Sequence, residues 1–344
     1  MSDSAELTFS VRGIASVETH GKDGVMSAAR LVEDAGFDMV WGGNDFLSSG
    51  GLVTMTLMLA GTERLRVGSA VLDPITLHPG QIAQYASALQ WMSDDRFVLG
   101  LGAGSDEFYK WASIPHGKPV PRTREAIVAI RALTEGRDMS KETLAGGPWT
   151  TTAELHHPRS VPIYVGAMGP RMLEMAGRYA DGVIALALPP RHVFEIMKHV
   201  EAGAVKAGRD FADIDVAAGV WLGISEDDPE QARYALREHI ALMSGSLSTD
   251  ALISSGLDPA EFAHVQRLLN EGRRQDAIDA VTPGMMELAF VGSPSDVIDQ
   301  CGVLIESGCR HISFGMMGRG VDKLAAVRLL GEKVVPELRR LATA

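Results

Sequence analysis

Arg64-Leu-Arg-Val-Gly-Ser-Ala-Val-Leu-Asp-Pro74, then Leu77-His-Pro79, then a helical run, then Arg96-Phe-Val-Leu-Gly-Leu-Gly-Ala-Gly-Ser-Asp106 decide how this chain reads. Leu65 to Leu72 has the short apolar character of a buried strand. Pro79 suits the first position of a helix, where its missing N–H costs nothing, and Ile82, Tyr85, Ala86, Leu89 and Met92 continue one helical face. Phe97 to Leu101 is again a buried strand. Both strands end in small residues, Gly68, Ser69 and Ala70 in the first and Gly100, Gly102 and Gly104 in the second. In parallel sheets the C-terminal ends of the strands and the loops after them carry ligands. Small residues there let a flat or phosphorylated ligand come close to the backbone.

Working outward, the same strand–loop–helix unit recurs. Strands are predicted at Leu7–Arg12, Phe37–Trp41, Val161–Gly166, Gly182–Leu186, Ile214–Ile224 and Arg310–Phe314, with helical apolar spacing over Val25–Ala35, Leu52–Ala60, Arg122–Glu135, Pro170–Tyr179, His192–Gly208, Ser293–Ser307 and Asp322–Leu341. Ser105 to Pro121 reads as a long loop. Asp228 to Leu288 reads as several helices, too long for one crossover. Eight strands alternating with helices predict an α/β fold: a single (β/α)8 TIM barrel over residues 1–344, with a helical insertion after strand seven at about 228–288. A doubly wound open sheet is the competing topology.

The composition narrows the function classes. The 344 residues are 46% hydrophobic and carry a net charge of -12. That sum disfavours a nucleic-acid partner or an anionic membrane surface. Cys301 and Cys309 make no disulfide framework and show no metal-ligand spacing, which fits a reducing cytoplasm. The first residues lack a basic and then apolar leader, and no run approaches ~18 apolar residues. A cytoplasmic enzyme acting on a small molecule, with no membrane and no nucleic acid, is expected.

Three features could carry chemistry. Gly166-Ala167-Met168-Gly169-Pro170-Arg171 joins a strand to a helix, so backbone N–H groups at a helix N-terminus would face a ligand, a geometry that suits phosphate; the plain alternative is a strand-to-helix turn. Gly100-Leu-Gly-Ala-Gly-Ser105 lacks dinucleotide G-x-G-x-x-G spacing and an immediately following helix. Close approach to a ring system over the barrel mouth accounts for it better. Asn44 and Asp45 follow strand two, Asp73 strand three, and Asp106 and Glu107 strand four; carboxylates at strand ends suit acid–base work. Asp73, before a proline, reads as a turn-former, whereas Asp45 reads as functional. His78 orders its loop. His156 and His157 have no third ligand at a recognisable spacing, so no metal is expected. Neither a G-x-S-x-G elbow nor a Walker loop occurs.

Taken together, Phe37-Asp-Met-Val-Trp41, Arg64-Leu-Arg-Val-Gly68 with His78-Pro79, Arg96 to Gly102, Val161 to Pro170 and Ala176-Gly-Arg-Tyr-Ala-Asp-Gly-Val-Ile184 resemble the bacterial luciferase-like superfamily, in order and spacing, across nearly the whole chain. Within it they are most similar to the deazaflavin enzymes that use coenzyme F420, such as methylenetetrahydromethanopterin reductase. The FMN-dependent two-component monooxygenases share the frame and stand as the alternative.

The resemblance implies a homodimer, a cofactor ring at the C-terminal mouth, and a non-prolyl cis peptide in a bulge after strand three, which maps onto Ala70–Val71. It assigns cofactor binding to Asn44, Ala70, Val71, Gly102, Gly104, Ser105 and the phosphate cradle Gly166, Ala167, Met168 and Gly169. It places the proton on Asp45 or Asp106. Many deazaflavin members carry Asp-His after strand two, where this chain has Asn44-Asp45. The glutamate and lysine of a sugar-phosphate branch are missing: Ser105 takes the glutamate's place, and Ala185 to Pro190 holds no lysine. The implied reaction is hydride transfer between the deazaflavin and a small organic substrate, and a barrel that binds a flavin without turnover is the non-enzymatic alternative.

Overall fold

A computed structural model of the chain describes residues 6–47, 49–104, 106–115, 117–147, 149–186, 188–247, 249–316 and 321–343. In chain order the elements are β1 Thr8–Arg12, α1 Val17–Asp34, β2 Met39–Gly42, α2 Gly51–Ala60, β3 Arg66–Ser69, α3 Pro79–Ser93, β4 Phe97–Leu101, α4 Asp106–Trp111, α5 Pro119–Thr134, β5 Ile163–Gly166, α6 Pro170–Tyr179, β6 Gly182–Leu186, α7 Val193–Lys206 and β7 Asp215–Ile224. Then follow α8 Pro229–Met243, α9 Thr249–Ser254, α10 Pro259–Asn270, α11 Arg274–Asp279, α12 Pro283–Met286, β8 Ala289–Gly292, α13 Pro294–Glu306, β9 His311–Met316, α14 Lys323–Leu329 and α15 Val335–Thr343. The strands hydrogen-bond in the order β6-β5-β4-β3-β2-β1-β9-β7-β8, and β6 also pairs with β7. That second pairing closes eight of the strands into a parallel TIM barrel, as predicted. Among the described residues no helix is long and apolar enough to cross a membrane.

The chain forms two compact units. Residues 8–185 and 196–217 make the larger one. Its barrel interior follows from strand alternation. Met39 and Trp41 of β2, Val98 of β4, Tyr164 of β5 and Ala217 of β7 meet in one buried cluster. Large residues face small ones across the strands: Trp41 lies in register with Gly68, and Tyr164 with Gly182. A β-carbon on either glycine would run into the opposing aromatic ring. The indole N–H of Trp41 donates to Ser10 Oγ at 3.0 Å, and the Tyr164 hydroxyl donates to Asp215 Oδ2 at 2.8 Å. Burial, with the nearby Asp215 carboxylate, pushes the Tyr164 phenol well above its usual range, so it stays a donor.

The β3–β4 ladder shows why the chain departs from a plain strand after Gly68. Gly68 pairs with Val98, and the next bridge joins Leu72 to Leu101. Four steps on one strand against three on the other make a bulge of one extra residue. Ser69 stitches it: its buried Oγ accepts from Gly100 N at 2.8 Å and donates to Gly100 O at 2.9 Å. The ladder resumes with Leu72 N donating to Gly100 O and Gly102 N to Leu72 O. The regular strand therefore ends at Ser69, short of the predicted Leu72.

Residues 186–195 and 218–344, with the N-terminal residues up to Leu7, make the second unit. Its core gathers Trp221, Leu236, Ile240, Phe262, Val265 and Met285 from β7 and the insertion helices. The insertion is helical, as predicted, but ends in β8, which the sequence reading missed. Residues Trp221 to Ile224 at the C-terminal end of β7 pair with Ala289 to Gly292 of β8. Two further differences are local. Helix α1 begins at Val17 rather than Val25, because its first turns are polar and break at Gly21, whose φ is +64°. The predicted loop after β4 contains α4.

Candidate active site

The bulge presents Val71 at the C-terminal end of β3. The Ala70–Val71 peptide is cis, at the position the resemblance assigned. The two γ-methyls of Val71 face the neighbouring strands. A β-carbon on Gly102 would lie 2.5 Å from Cγ2, and one on Gly166 would lie 2.8 Å from Cγ1. On Gly100 it would strike the Ser69 carbonyl and come within 2.7 Å of Ile184 Cδ1. Gly100 and Gly102 are predicted from the sequence to give a ligand room and Gly166 to belong to a strand-to-helix turn, and the structure adds a second role for all three. The space beside Gly100, Gly102 and Gly166 is taken by the chain's own bulge. Val71, partly exposed, is the apolar shelf that those glycines allow to stand there.

The loop after β4 is fixed by Tyr109. Its buried hydroxyl donates to Ala103 O at 3.1 Å and occupies the place a β-carbon on Gly104 would need, and Gly104 itself has φ +67°. Glycine is required there for conformation and for space. Ser105 lies outside the described residues. Asp106 opens α4.

The segment from Gly166 to Gly169 turns from β5 into α6. Ala167 is buried and its N–H extends the sheet to Ile184 O at 3.1 Å. Met168 and Gly169 are exposed. Gly169 is the N-cap residue, Pro170 takes the first helical position, and no side chain among the described residues caps this end. A β-carbon on Gly169 would meet nothing within 4 Å. An open, uncapped helix N-terminus of this kind offers backbone N–H donors and the positive end of the helix dipole to an anion. A cofactor phosphate fits it.

Asn44 and Asp45 follow β2 on a loop held from both sides. Gly50 N donates to Glu18 Oε1 of α1 at 2.7 Å, which helps hold the Glu18 carboxyl below its usual value. Gly51, at the start of α2, packs so closely that a β-carbon there would approach Asn44 Cβ to 2.7 Å. Asp45 Oδ2 lies 3.7 Å, and the Ala70 carbonyl oxygen 4.0 Å, from where a β-carbon on Gly43 would sit, so carboxylate and bulge share one corner. The Asp45 side chain reaches solvent, yet the loop withdraws enough water to raise its carboxyl above the ordinary aspartate value. A carboxyl shifted upward beside a ligand shelf is suited to holding a proton.

Other candidates are placed away from this chemistry. Asp73 accepts from Ile75 N, Thr76 N and Thr76 Oγ1, so it forms the turn. His78 caps α3 by accepting from Gly80 N at 3.2 Å and packs on Trp149. His156 and His157 line a cleft of about 700 Å³ on the outer face of α3, with Gln84, Ser87 and Trp91. Among the described residues no group of His, Cys, Asp and Glu could hold a metal. Sequence reasoning named Ser69 only as a small residue and missed Tyr109. Ser69 and Tyr109 carry no motif.

The sequence profile of the luciferase-like monooxygenases matches residues 8–311. The chain is 30% identical over 318 residues to a 5,10-methylenetetrahydromethanopterin reductase of Archaeoglobus fulgidus, covering 90% of this chain and 94% of the relative. It is 30% identical over 298 residues to a phthiodiolone/phenolphthiodiolone dimycocerosates ketoreductase of Mycobacterium bovis, covering 82% of this chain and 74% of the relative. The solved structure of the coenzyme F420-dependent tetrahydromethanopterin reductase of Methanopyrus kandleri superposes with a TM-score of 0.87 at 25% identity, over 97% of this chain and 100% of the other. The barrel thus agrees with the whole-chain comparisons: the chain belongs to the luciferase-like family of enzymes.

Proposed function

We propose that this chain is an oxidoreductase that binds the deazaflavin coenzyme F420 and moves a hydride between it and the electrophilic carbon of a small molecule. The observation that carries the reading is the Val71 shelf beside the uncapped N-terminus of α6. One offers an apolar support for a flat ring, and the other a site for a phosphate on the same molecule. The likeness to F420-dependent reductases supports deazaflavin over FMN. The names of the relatives, a reductase of a methylene-pterin and a ketoreductase, support a C=N or C=O acceptor.

When bound, the coenzyme supplies the hydride. The chain supplies position. Gly102 and Gly166 hold Val71 in place behind the ring, Gly166 to Gly169 and α6 take the phosphate, and Asn44 lines the cofactor's edge. Asp45, with Asp106 as the second candidate, holds the proton that balances charge on the acceptor. The same reading includes a homodimer.

The test is anaerobic mixing of reduced coenzyme with a ketone and with a methylene-tetrahydropterin, followed by the visible absorbance of the oxidised deazaflavin. Substrate-dependent appearance of that band supports hydride transfer. No oxidation with either acceptor class, alongside oxygen-dependent turnover with reduced FMN, would make the chain a monooxygenase instead.

A further inference from the structure

Among the described residues four other than glycine have a positive φ: Leu47, Asp94, Asp95 and Ser113. Three of these are short and polar, and aspartate visits this region of the backbone readily. Leu47, at φ +62°, is the bulky one. It is also 68% exposed, so its side chain adds little to the packing of the fold. A lone exposed leucine calls for no account. A leucine in a backbone conformation that its own β-carbon resists, with no burial to offset the cost, does.

The loop that carries Leu47 is anchored beside the bulge. Strand β2 ends with Gly42 in register with Ser69, and Gly42 O accepts from Ala70 N at 2.8 Å. From there the loop runs out and comes back. A β-carbon on Gly51 would lie 2.1 Å from the Gly43 carbonyl oxygen, so the two ends of the loop touch, and Leu47 is midway between them. The turn around it is closed by Ser49 N donating to Asp45 O at 3.0 Å and by Asp45 N donating to Ser49 Oγ at 3.4 Å. One braced turn thus carries the Asp45 carboxyl and, two residues on, an exposed apolar side chain. In the sheet order β5-β4-β3-β2 this loop and the phosphate cradle on β5 flank the end of β3, where Val71 stands. The turn therefore serves the side of the shelf away from the phosphate.

We propose that Leu47 is a specificity-determining contact for an apolar group on the hydride acceptor. The preferred acceptors are then uncharged carbonyl or imine compounds with an aromatic or bulky aliphatic substituent. That the bound molecule accepts a hydride rests on the function proposed above; the apolar contact itself does not. Contact with such a ligand takes the leucyl side chain out of water, which the free fold does not do.

The probes are methyl naphthyl ketone and acetone, titrated by calorimetry into the apoprotein and into protein loaded with coenzyme F420. Wild type should bind the naphthyl ketone saturably, about tenfold or more tighter than acetone. Leu47→Asn should weaken the naphthyl ketone about tenfold and leave the urea midpoint equal or higher, since asparagine accepts the left-handed backbone. Leu47→Met, still apolar, should stay within a few-fold of wild type. Unchanged affinity in Leu47→Asn, equal losses in both variants, or no saturable binding in wild type overturns the proposal. A lower urea midpoint in Leu47→Asn also overturns it, because the leucine would then be a prop for the fold. An altered mass in light scattering at unchanged affinity would make it a contact between copies instead. The apoprotein arm needs no coenzyme. A Leu47 effect there without coenzyme binding would sink the reaction reading and leave the apolar contact standing. Oxidation of reduced coenzyme by the naphthyl ketone with equal KM in wild type and Leu47→Asn would do the reverse.

Discussion

Val71 and Gly102 meet so closely that a β-carbon on the glycine would lie 2.5 Å from the valine Cγ2. The contact links the bulge after β3 to the end of β4, and Gly166 repeats it from β5 at 2.8 Å from Cγ1. One apolar side chain is thus wedged between two glycines, and its exposed side is what a ring can rest on.

Gly102→Ala should therefore displace Val71 before it affects anything else. Overpacking of this kind costs about 1–3 kcal/mol, read as a lower midpoint in urea unfolding. Coenzyme affinity should fall with it. The double variant Gly102→Ala/Val71→Ala removes the γ-methyls that the new methyl strikes, and should recover most of the stability without recovering affinity. Recovery of neither would mean that the glycine is needed for a reason other than Val71.

Gly169→Asp should behave in the opposite way. Nothing lies within 4 Å of the added β-carbon, so folding should be nearly unchanged. An extra carboxylate at the start of α6 would repel a phosphate, and affinity for the coenzyme should drop by tenfold or more, whereas Gly169→Ala should bind within a few-fold of wild type. Parallel losses of stability and affinity in Gly169→Asp would return the segment to a plain turn.

Asp45 offers a test of pH dependence. Its folded-state carboxyl is raised by desolvation, so the fold disfavours the charged form. The sign follows: relative to a neutral side chain, folding loses stability as pH rises from the unfolded value of about 3.9 through the raised folded value. Asp45→Asn should thus raise the thermal midpoint slightly at pH 7 and leave it unchanged at pH 3. A variant that is less stable at pH 7 would show that the carboxylate is engaged in a favourable contact.

Turnover separates the two carboxylates. Asp45→Ala should lower it by about 10²–10⁴-fold at saturating coenzyme, with coenzyme affinity changed only a few-fold. Asp106→Ala gives the comparison. A large loss in Asp106→Ala alone would move the proton to α4. Near-normal turnover in both would leave catalysis to positioning of the acceptor.

The barrel was legible because alternation of short apolar strands with helical apolar spacing is a local property, readable one segment at a time. The helix start at Pro79 and the turn at Asp73 were legible for the same reason. The bulge was not: Leu65 to Leu72 reads as one strand, and only the pairing of Leu72 with Leu101 reveals the extra residue. The resemblance supplied its position. Gly100, Gly102 and Gly166 were legible as glycines at strand ends, but their contact with the bulge was not, because a glycine does not say which distant side chain fills the space beside it. β8 escaped notice since its four residues gain strand character only by pairing with the C-terminal end of β7.

The central claim is that the Val71 shelf and the start of α6 hold a deazaflavin. Titrating the apoprotein with coenzyme F420 and with FMN, and following quenching of each ligand's fluorescence, tests it most directly. The account expects saturable binding of coenzyme F420 at one site per chain, tighter than FMN by tenfold or more and abolished by Gly169→Asp. Stoichiometric FMN that coenzyme F420 does not displace, or coenzyme binding untouched by Gly169→Asp, would contradict it.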